Sequence, residues 1–245
     1  SENSGETWVK MNENYIDDLY YSYGYYFGEI RVDASDVNKI YLEGVPIIKS
    51  EDGGKTYSSI NGDNMHSDHQ ALWVNPKKTG HLLNGNDGGV YRSANLNSSS
   101  PSFSHMNNGH NITQFYACAI HPTAASNYFL AGAQDNGSQQ FSGSGIVSTG
   151  EVTGGDGAYC FIDQTNGNYQ VTSYVYNSYW RSTDGGSSFG SRFQNDQSTG
   201  KFINPTDYDD NMNILYSTRT STTINRVTNM TGTPSIGSFT VSGMS

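Results

Sequence analysis

The sequence predicts an all-β protein, a β-propeller built from four-stranded blades. Three observations lead to this prediction. One turn pattern occurs three times, a short strand pattern recurs about every 42 residues, and no segment has the apolar period of an amphipathic helix. A repeat of this length is the size of one four-stranded propeller blade.

The turn pattern reads Ser-x-(Asp/Asn)-x-Gly-x-(Thr/Ser)-aromatic and occupies residues 1–8, 50–57 and 182–189. The Asp or Asn side chain caps its own turn, and Gly takes the positive φ that a tight turn requires. The aromatic residue is expected to pack the turn onto its sheet. Structural roles are therefore predicted for Ser50, Asp52, Gly54, Tyr57, Ser182, Asp184, Gly186 and Phe189.

The strand pattern ends in a polar marker residue, often followed by proline. The positions one and three residues before each marker are mainly apolar, as on the buried face of a strand. A later strand of the first three repeats ends in a glycine, at positions 44, 85 and 132. The markers are spaced 42, 46, 42 and 41 residues apart and are Asp33, Asn75, His121, Asp163 and Asn204.

About five to six blades are predicted within residues 1–245, and residues 1–27 form an incomplete one. The ring closes in one of two ways: residues 1–27 lend a strand to the last blade, or further chain completes a larger propeller. The second is favoured because an open arc of blades would expose apolar sheet faces. The predicted repeats are 28–63, 68–108, 114–150, 155–195 and 200–245.

The composition narrows the classes of partner. Charged residues make up 15% of the chain, its net charge is −10 and its pI is about 4.8. Nucleic acid and anionic membranes are disfavoured as partners because neutralising phosphate needs clustered Lys and Arg. No stretch has the length of a transmembrane helix, so membrane insertion is not predicted. The scarcity of Lys and Glu favours an extracellular or cell-surface location.

Two cysteines, Cys118 and Cys160, occupy the same column of the strand repeat. We expect both to be small buried hydrophobic residues. A disulfide between neighbouring blades is the alternative.

Acidic residues recur on one predicted face of the propeller. The loop before the innermost strand and the loop between the second and third strands share the upper face, whereas the Ser-x-Asp turns lie opposite. Acids from three successive repeats should meet there without Lys or Arg among their sequence neighbours. Turn chemistry alone is the competing explanation, since Asp-Gly and Asn-Gly are common turn dipeptides. The residues are Asp68, Asp87, Asp135 and Asp156, with His66 and His69 beside them.

Three chemistries fit this set. The four aspartates are catalytic candidates for glycoside hydrolysis, which uses paired carboxylates. All six residues are candidate metal ligands, with Ca²⁺ as the ion that carboxylate oxygens favour, although no cofactor is required. His66 and Asp68 are the pair that one strand face would offer to a transition metal.

A dense aromatic run precedes the first full repeat. Such rings either stack on sugar rings or pack within a strand, and the sequence leaves both readings open. The run comprises Tyr15, Tyr20, Tyr21, Tyr23, Tyr25, Tyr26 and Phe27.

The order of these motifs resembles the large secreted Asp-box, or BNR-repeat, propeller proteins of Bacteroidetes, described as sialidase-like, sortilin-like or xyloglucanase-like glycosyl hydrolases. The similarity covers nearly the whole chain and is strongest over 25–190. It implies an extracellular carbohydrate-directed protein, with binding favoured over turnover. The motifs that carry it are Tyr25-Tyr-Phe, His66-x-Asp-His-x-Ala-Leu-Trp, Gly85-Asn-Asp-Gly-Gly, Gly132-Ala-Gln-Asp-Asn-Gly and Gly154-Gly-Asp-Gly.

The resemblance also bears on which enzymatic activity is expected. Sialidases clamp a carboxylate with three arginines, but Arg92, Arg181 and Arg226 of this chain share one strand column, so sialidase activity is disfavoured. If the chain is an enzyme, it is a glycoside hydrolase that uses Asp carboxylates. Sortilin-type propellers bind peptides without catalytic residues, so a protein- or peptide-binding scaffold is the alternative function. The expected partners are a polysaccharide, a glycoprotein or another protein.

Overall fold

The computed structural model describes residues 1–12, 16, 18–62, 64–110, 112–145 and 149–243. The described residues form twenty β-strands and no helix. The strands make five four-stranded sheets, and in each sheet the strands lie side by side in chain order and run antiparallel. The all-β prediction is therefore confirmed. Among the described residues, no helix could cross a membrane.

The chain divides into two compact units, and unit 1 spans Ser1–Asn111. It contains sheets 1 and 2. Sheet 1 consists of β1 (Glu29–Asp33), β2 (Asp36–Glu43), β3 (Ile47–Ser50) and β4 (Ser58–Ser59). Sheet 2 consists of β5 (His69–Val74), β6 (Leu82–Asn86), β7 (Gly89–Ser93) and β8 (Ser104–His105).

Unit 2 spans Ile112–Ser245 and contains sheets 3, 4 and 5. Sheet 3 consists of β9 (Phe115–Ile120), β10 (Phe129–Ala133), β11 (Ser138–Phe141) and β12 (Gly150–Thr153). Sheet 4 consists of β13 (Cys160–Ile162), β14 (Gln170–Ser173), β15 (Asn177–Ser182) and β16 (Gln194–Asp196). Sheet 5 consists of β17 (Thr206–Asp209), β18 (Ile214–Thr218), β19 (Thr223–Thr228) and β20 (Ser235–Thr240).

Within each unit, the apolar cores lie between consecutive sheets. In unit 1, Tyr41 and Ile47 of sheet 1 pack with Leu72 and Leu82 of sheet 2. In unit 2, Leu130 packs with residues of β13, and a second core joins sheets 4 and 5. Each fully buried side chain of this size stabilises the fold by about 1.5–3 kcal/mol. The sheets therefore depend on their neighbours for stability.

The first strand predicted for the fifth repeat was wrong in its position, although sheet 5 lies within residues 200–245. Residues 201–204 are not a strand, and the first strand of sheet 5 is Thr206–Asp209. Asn204 is instead a buried loop residue whose side chain donates to Asn177 Oδ1 at 2.8 Å and to the Thr218 carbonyl at 2.9 Å. Pro205 has no N–H to offer a strand ladder, so the strand begins after it.

The expected burial of the first-strand columns holds only in part. Ile30 and Val32 are 56% and 49% exposed, and Ile120 is 59% exposed. On the other face of β1, Glu29 accepts the N–H of Leu72 from sheet 2 at 2.8 Å. The face with Ile30 and Val32 therefore points away from sheet 2, and the described residues of unit 1 form no third sheet that could cover it.

The two cysteines differ in environment. Both thiols are free, so no disulfide joins them. Cys160 is buried, and burial raises the pKa of its thiol to about 12. Cys118 is exposed, so its predicted burial was wrong.

Candidate functional site

The two complete Ser-x-Asp-x-Gly turns share one hydrogen-bond arrangement. In the first, Gly54 N–H donates to Ser50 Oγ at 2.9 Å, and Asp52 Oδ1 accepts the Thr56 N–H at 2.9 Å. In the second, Gly186 N–H donates to Ser182 Oγ at 2.9 Å, and Asp184 Oδ1 accepts the Ser188 N–H at 3.0 Å.

The aspartates of both turns are fully engaged. A hydroxyl, of Thr56 or Ser188, also donates to the second oxygen of each carboxylate at 2.6 Å. These hydrogen bonds lower the pKa of Asp52 and of Asp184 to about 2. Carboxylates held this way remain ionised and are not free to exchange protons with a substrate.

The residues 1–8 adopt the same turn with Asn3 in the acidic position. Gly5 N–H donates to Ser1 Oγ at 2.8 Å and Thr7 N–H donates to Asn3 Oδ1 at 2.9 Å. A fourth turn, which the sequence pattern missed, begins at Ser93. There Asn95 Oδ1 accepts the Ser93 hydroxyl at 3.1 Å and the Ser102 N–H at 2.9 Å. Its loop is longer, so a search at fixed spacing does not find it.

In unit 1, the loop before β5 is held by the β2–β3 connection. Asp68 lies at φ 60°, and its N–H donates to the Val45 carbonyl at 3.0 Å. The His69 N–H donates to the Gly44 carbonyl at 2.8 Å. The Ser67 hydroxyl donates to Asp68 Oδ2 at 3.0 Å. The Asp68 carboxylate thus lies at a loop that links sheets 1 and 2.

The loop between β6 and β7 lies against the same segment. Gln70 Nε2 donates to Asp87 Oδ1 at 3.4 Å. Asn86 Nδ2 donates to the His66 carbonyl at 3.0 Å, and a Cβ at Gly88 would lie 2.6 Å from His66 Cβ. His66 and the Asp87 loop are therefore close.

His69 points into the protein. Its side chain is 0% exposed, and its Nδ1 lies 2.7 Å from Asn84 Oδ1. Burial lowers the pKa of this imidazole, and the neighbouring His66 lowers it further, against the effects of Asn84 and Asp68. The ring is therefore neutral at pH 7 and belongs to the interior.

A buried carboxyl group lies next to it, and sequence reasoning did not select it. Glu43, at the end of β2, is 0% exposed and accepts Asn84 Nδ2 on Oε2 at 3.2 Å. Burial raises the pKa of Glu43 to about 7, although the Arg31 charge and the Asn84 hydrogen bond act to lower it. A charged residue directly before a glycine of the repeat was the signal available in the sequence.

The aromatic run is not a strand. Residues 18–27 form turns, so the strand-packing interpretation was wrong. Tyr15 lies outside the described residues. Four of the rings are exposed, with Tyr21 at 65%, Tyr23 at 47%, Tyr25 at 84% and Tyr26 at 67%. We call these four residues the tyrosine platform.

The platform is fixed to the β2–β3 connection. Leu19 is buried, and its carbonyl accepts the Val45 N–H at 2.8 Å. The Tyr20 ring lies against Gly28 and Gly44, where a Cβ would collide with the ring. Val45 also accepts the Asp68 N–H, so one short connection joins the platform to the acidic loop.

In unit 2, Asp135 and Asp156 come together. The Asp135 N–H donates to Asp156 Oδ1 at 3.1 Å, with Asp135 at φ 61°. The Tyr116 hydroxyl donates to Gln134 Oε1. Burial raises the pKa of Tyr116, and the charges of Asp156 and Asp135 raise it further. A hydroxyl, an amide and two carboxyl groups therefore share this loop surface.

An arginine approaches the same surface through aromatic rings. Tyr174 packs over Gly155, the residue before Asp156. The Arg192 guanidinium lies 5.1 Å from the Tyr174 ring centroid and 4.3 Å from that of Trp180. The sequence did not show this because Arg192 lies in a different loop from the acids.

The predicted residues thus lie in two places: His66, Asp68 and Asp87 on adjoining loops of unit 1, and Asp135 and Asp156 together in unit 2, whereas the His69 side chain is buried. Their convergence at one mouth stays a prediction. Among the described residues, no three His, Cys, Asp or Glu side chains are placed to hold one metal ion. The metal assignment to these six residues also stays a prediction.

Comparison with known proteins bears on the fold. No protein-family model matches the chain, and no curated protein sequence is detectably similar. The GH74 xyloglucanase from Xanthomonas campestris has a TM-score of 0.55 and 16% identity, over 89% of this chain and 34% of that one. The GH74 enzyme of Niastella koreensis has a TM-score of 0.46 and 14% identity, over 84% and 34% of the two chains.

The chain thus spans about a third of the length of these solved structures. At this level of identity, the first similarity shows a shared fold. The five four-stranded sheets match propeller blades, so the propeller prediction is confirmed.

Proposed function

We propose that the protein is an extracellular, carbohydrate-directed β-propeller that binds a polysaccharide or glycoprotein through the upper-face loops. The observation that carries the proposal is the tyrosine platform next to the Asp68 loop in unit 1. The similar xyloglucanase acts on a polysaccharide, which makes the same class of ligand our starting point.

Tyrosine rings suit sugars because each ring offers a flat apolar face and a polar hydroxyl. Tyr25 and Tyr26 are 84% and 67% exposed, and Tyr26 lies edge-on to Phe27 with ring centroids 5.7 Å apart. Exposed aromatic side chains grouped on one segment are typical of binding surfaces.

The polar groups beside the platform supply hydrogen bonds. Asp68 and Asp87 lie on loops of the same unit, and Asp135 and Asp156 offer a comparable surface in unit 2. Carboxylate and amide groups bind sugar hydroxyls without requiring a charged ligand. Neutral glycans are therefore the preferred class.

Binding is proposed ahead of turnover. Hydrolysis requires one carboxylic acid and one carboxylate placed across the scissile bond. Asp52 and Asp184 are held in turns, so an enzymatic role would fall to the four loop aspartates. Hydrolysis is tested by reducing-sugar release with Asp68→Asn and Asp156→Asn as the comparison.

The binding test uses affinity electrophoresis and a glycan array, with Tyr25→Ala and Tyr25→Phe as a matched pair. The phenylalanine keeps the ring face, so we expect it to retain binding, whereas the alanine should weaken binding at least tenfold. Phe239→Ala, at an exposed ring in unit 2, is the control. Retention on no glycan, together with recovery of one stable protein partner, would favour the peptide-binding scaffold instead.

A further inference from the structure

Glu43, Asn84 and His69 form a buried polar cluster in unit 1, behind the loop that carries Asp68. Each is at most 1% exposed. Asn84 lies between the other two, with its Oδ1 2.7 Å from His69 Nδ1 and its Nδ2 3.2 Å from Glu43 Oε2. Among the described residues, Glu43 Oε1 and His69 Nε2 have no hydrogen-bond partner.

The hydrogen bonds fix the protonation of the histidine. Asn84 Nδ2 donates to Glu43 and to the Ala71 carbonyl, and Asn86 Nδ2 donates to Asn84 Oδ1. Asn84 Oδ1 therefore accepts from His69, so Nδ1 carries the proton and Nε2 holds a buried lone pair. An ionised Glu43 would be a buried charge with one hydrogen-bond donor among the described residues, Asn84 Nδ2, and this is costly.

Charges around Glu43 do not remove that cost. Arg31 is near, but its guanidinium is paired with Glu29, which stands opposite Glu43 in the β1–β2 register. The loop before β5 adds Asp68 and His66 to the surroundings of His69. Burial raises the pKa of Glu43 from 4.5 to about 7, so this carboxyl group changes charge near neutral pH.

The cluster is directly joined to the upper-face loops. Gly44 follows Glu43, and the Gly44 and Val45 carbonyls accept the N–H groups of His69 and Asp68. Val45 N–H donates to Leu19, which anchors the tyrosine platform. A change at Glu43 is therefore passed through the next two residues, Gly44 and Val45, to the Asp68 loop and to the tyrosine platform.

We propose that this cluster is a proton-linked switch: the protonated Glu43 keeps the 44–46 and 66–69 loops docked, and its ionisation loosens them. The loops are docked most tightly at acidic pH and loosen progressively as the pH rises to about 7.

The two titrating groups act in opposite directions. The stabilisation from protonated Glu43 is complete below pH 4.5 and is lost as pH rises toward 7. The stabilisation from neutral His69 is present above pH 6.5 and is lost as pH falls below it. The effect of Glu43 is therefore measured as the difference between the wild type and a variant that lacks the Glu43 charge.

The test is hydrogen exchange of the Asp68 and His69 amides in the wild type and in Glu43→Gln, corrected for the intrinsic effect of pH. Between pH 6 and 9, the ratio of wild-type to variant opening should rise on the order of tenfold. Glu6→Gln removes an exposed carboxylate from the same unit and should behave like the wild type. An unchanged ratio overturns the proposal.

A second measurement tests the proposal even if the Glu43→Gln variant does not fold. In the wild type, the Glu43 carboxyl carbon should titrate near pH 7 by NMR, and a midpoint below pH 5 overturns the proposal. We also expect the wild type, but not Glu43→Gln, to lose glycan retention above pH 7. This expectation rests on the proposed function. Hydrogen exchange and carboxyl titration need no ligand. They therefore test the switch separately from the proposed glycan binding.

Discussion

Single carboxylates in the Ser-x-Asp turns organise much of their surroundings. Asp184 accepts the Ser182 hydroxyl at 2.7 Å, the Ser188 N–H at 3.0 Å and the Ser188 hydroxyl at 2.6 Å. Together these bonds close the turn that follows β15. The hydrogen bonds to this carboxylate indicate a structural role for Asp184.

Asp184→Asn should lower the melting temperature by a few degrees at pH 7, because an amide cannot accept all three bonds. The Asp184 pKa lies at about 2 in the fold and at 3.8 ordinarily, so its stabilisation is present above pH 3.8 and lost as pH falls toward 2. Thermal unfolding at pH 7 and pH 2 checks this. Glu2→Gln, an exposed control, should show no change, and an equal deficit at both pH values would contradict the prediction.

The pairing of strands with the next sheet depends on glycine at particular positions. Gly132 in β10 faces the Ala158 backbone so closely that a Cβ would overlap the carbonyl oxygen. Gly85 occupies the same repeat column in β6, yet its Cβ would lie 3.5 Å from Ala71 Cβ, an ordinary contact. The same repeat column therefore contains one glycine where a Cβ would clash, Gly132, and one where a Cβ would fit, Gly85.

Gly132→Ala should destabilise unit 2 by about 3 kcal/mol, because a backbone oxygen cannot move aside as a side chain does. Gly85→Ala should be neutral or stabilise by up to about 1 kcal/mol through lower chain entropy in the unfolded state. Urea unfolding of the two variants checks the contrast. Equal effects in both would mean that the column, rather than the Ala158 contact, sets the requirement.

The elements differ in how far the sequence could predict them. The all-β fold and the turns have local signals, namely alternation and turn residues. The first strand of the fifth repeat was misplaced because Asn204 resembles a strand marker, whereas its side chain joins a buried network with Asn177 and Thr218. Such long-range hydrogen bonds leave no local pattern.

The sequence indicated which loops carry the candidate site, but it did not indicate which of the side chains are buried. Asp68 and Asp87 belong to neighbouring loops, and so do Asp135 and Asp156, while the convergence of all four stays a prediction. The burial of His69 beside Glu43 was not predictable, because alternation in a strand does not say which face a neighbouring sheet covers.

At the scale of the whole molecule, the net charge bears on which partners we expect. The net charge of −10 and pI of about 4.8 oppose binding to phosphate backbones. Sugars remain compatible because they bind through ring faces and hydroxyls.

The proposed function requires no metal ion, so melting temperatures in excess EDTA and in plain buffer should agree within about one degree. Ca²⁺ is the ion that the loop carboxylates would take. A rise in melting temperature in millimolar Ca²⁺ that Asp68→Ala or Asp156→Ala abolishes would instead assign an ion to the site. Asp207→Ala, at an exposed position in β17, is the control.

The order of strands in the sheets has a consequence for synthesis. Every sheet uses four consecutive strands, so each ladder is formed by residues near one another in the chain. Short loops close at small entropic cost, which makes such pairings fast for an all-β protein. The strand pairs of a sheet can therefore begin to form once its segment has left the ribosome, and the sheet gains its full stability when the next sheet packs against it.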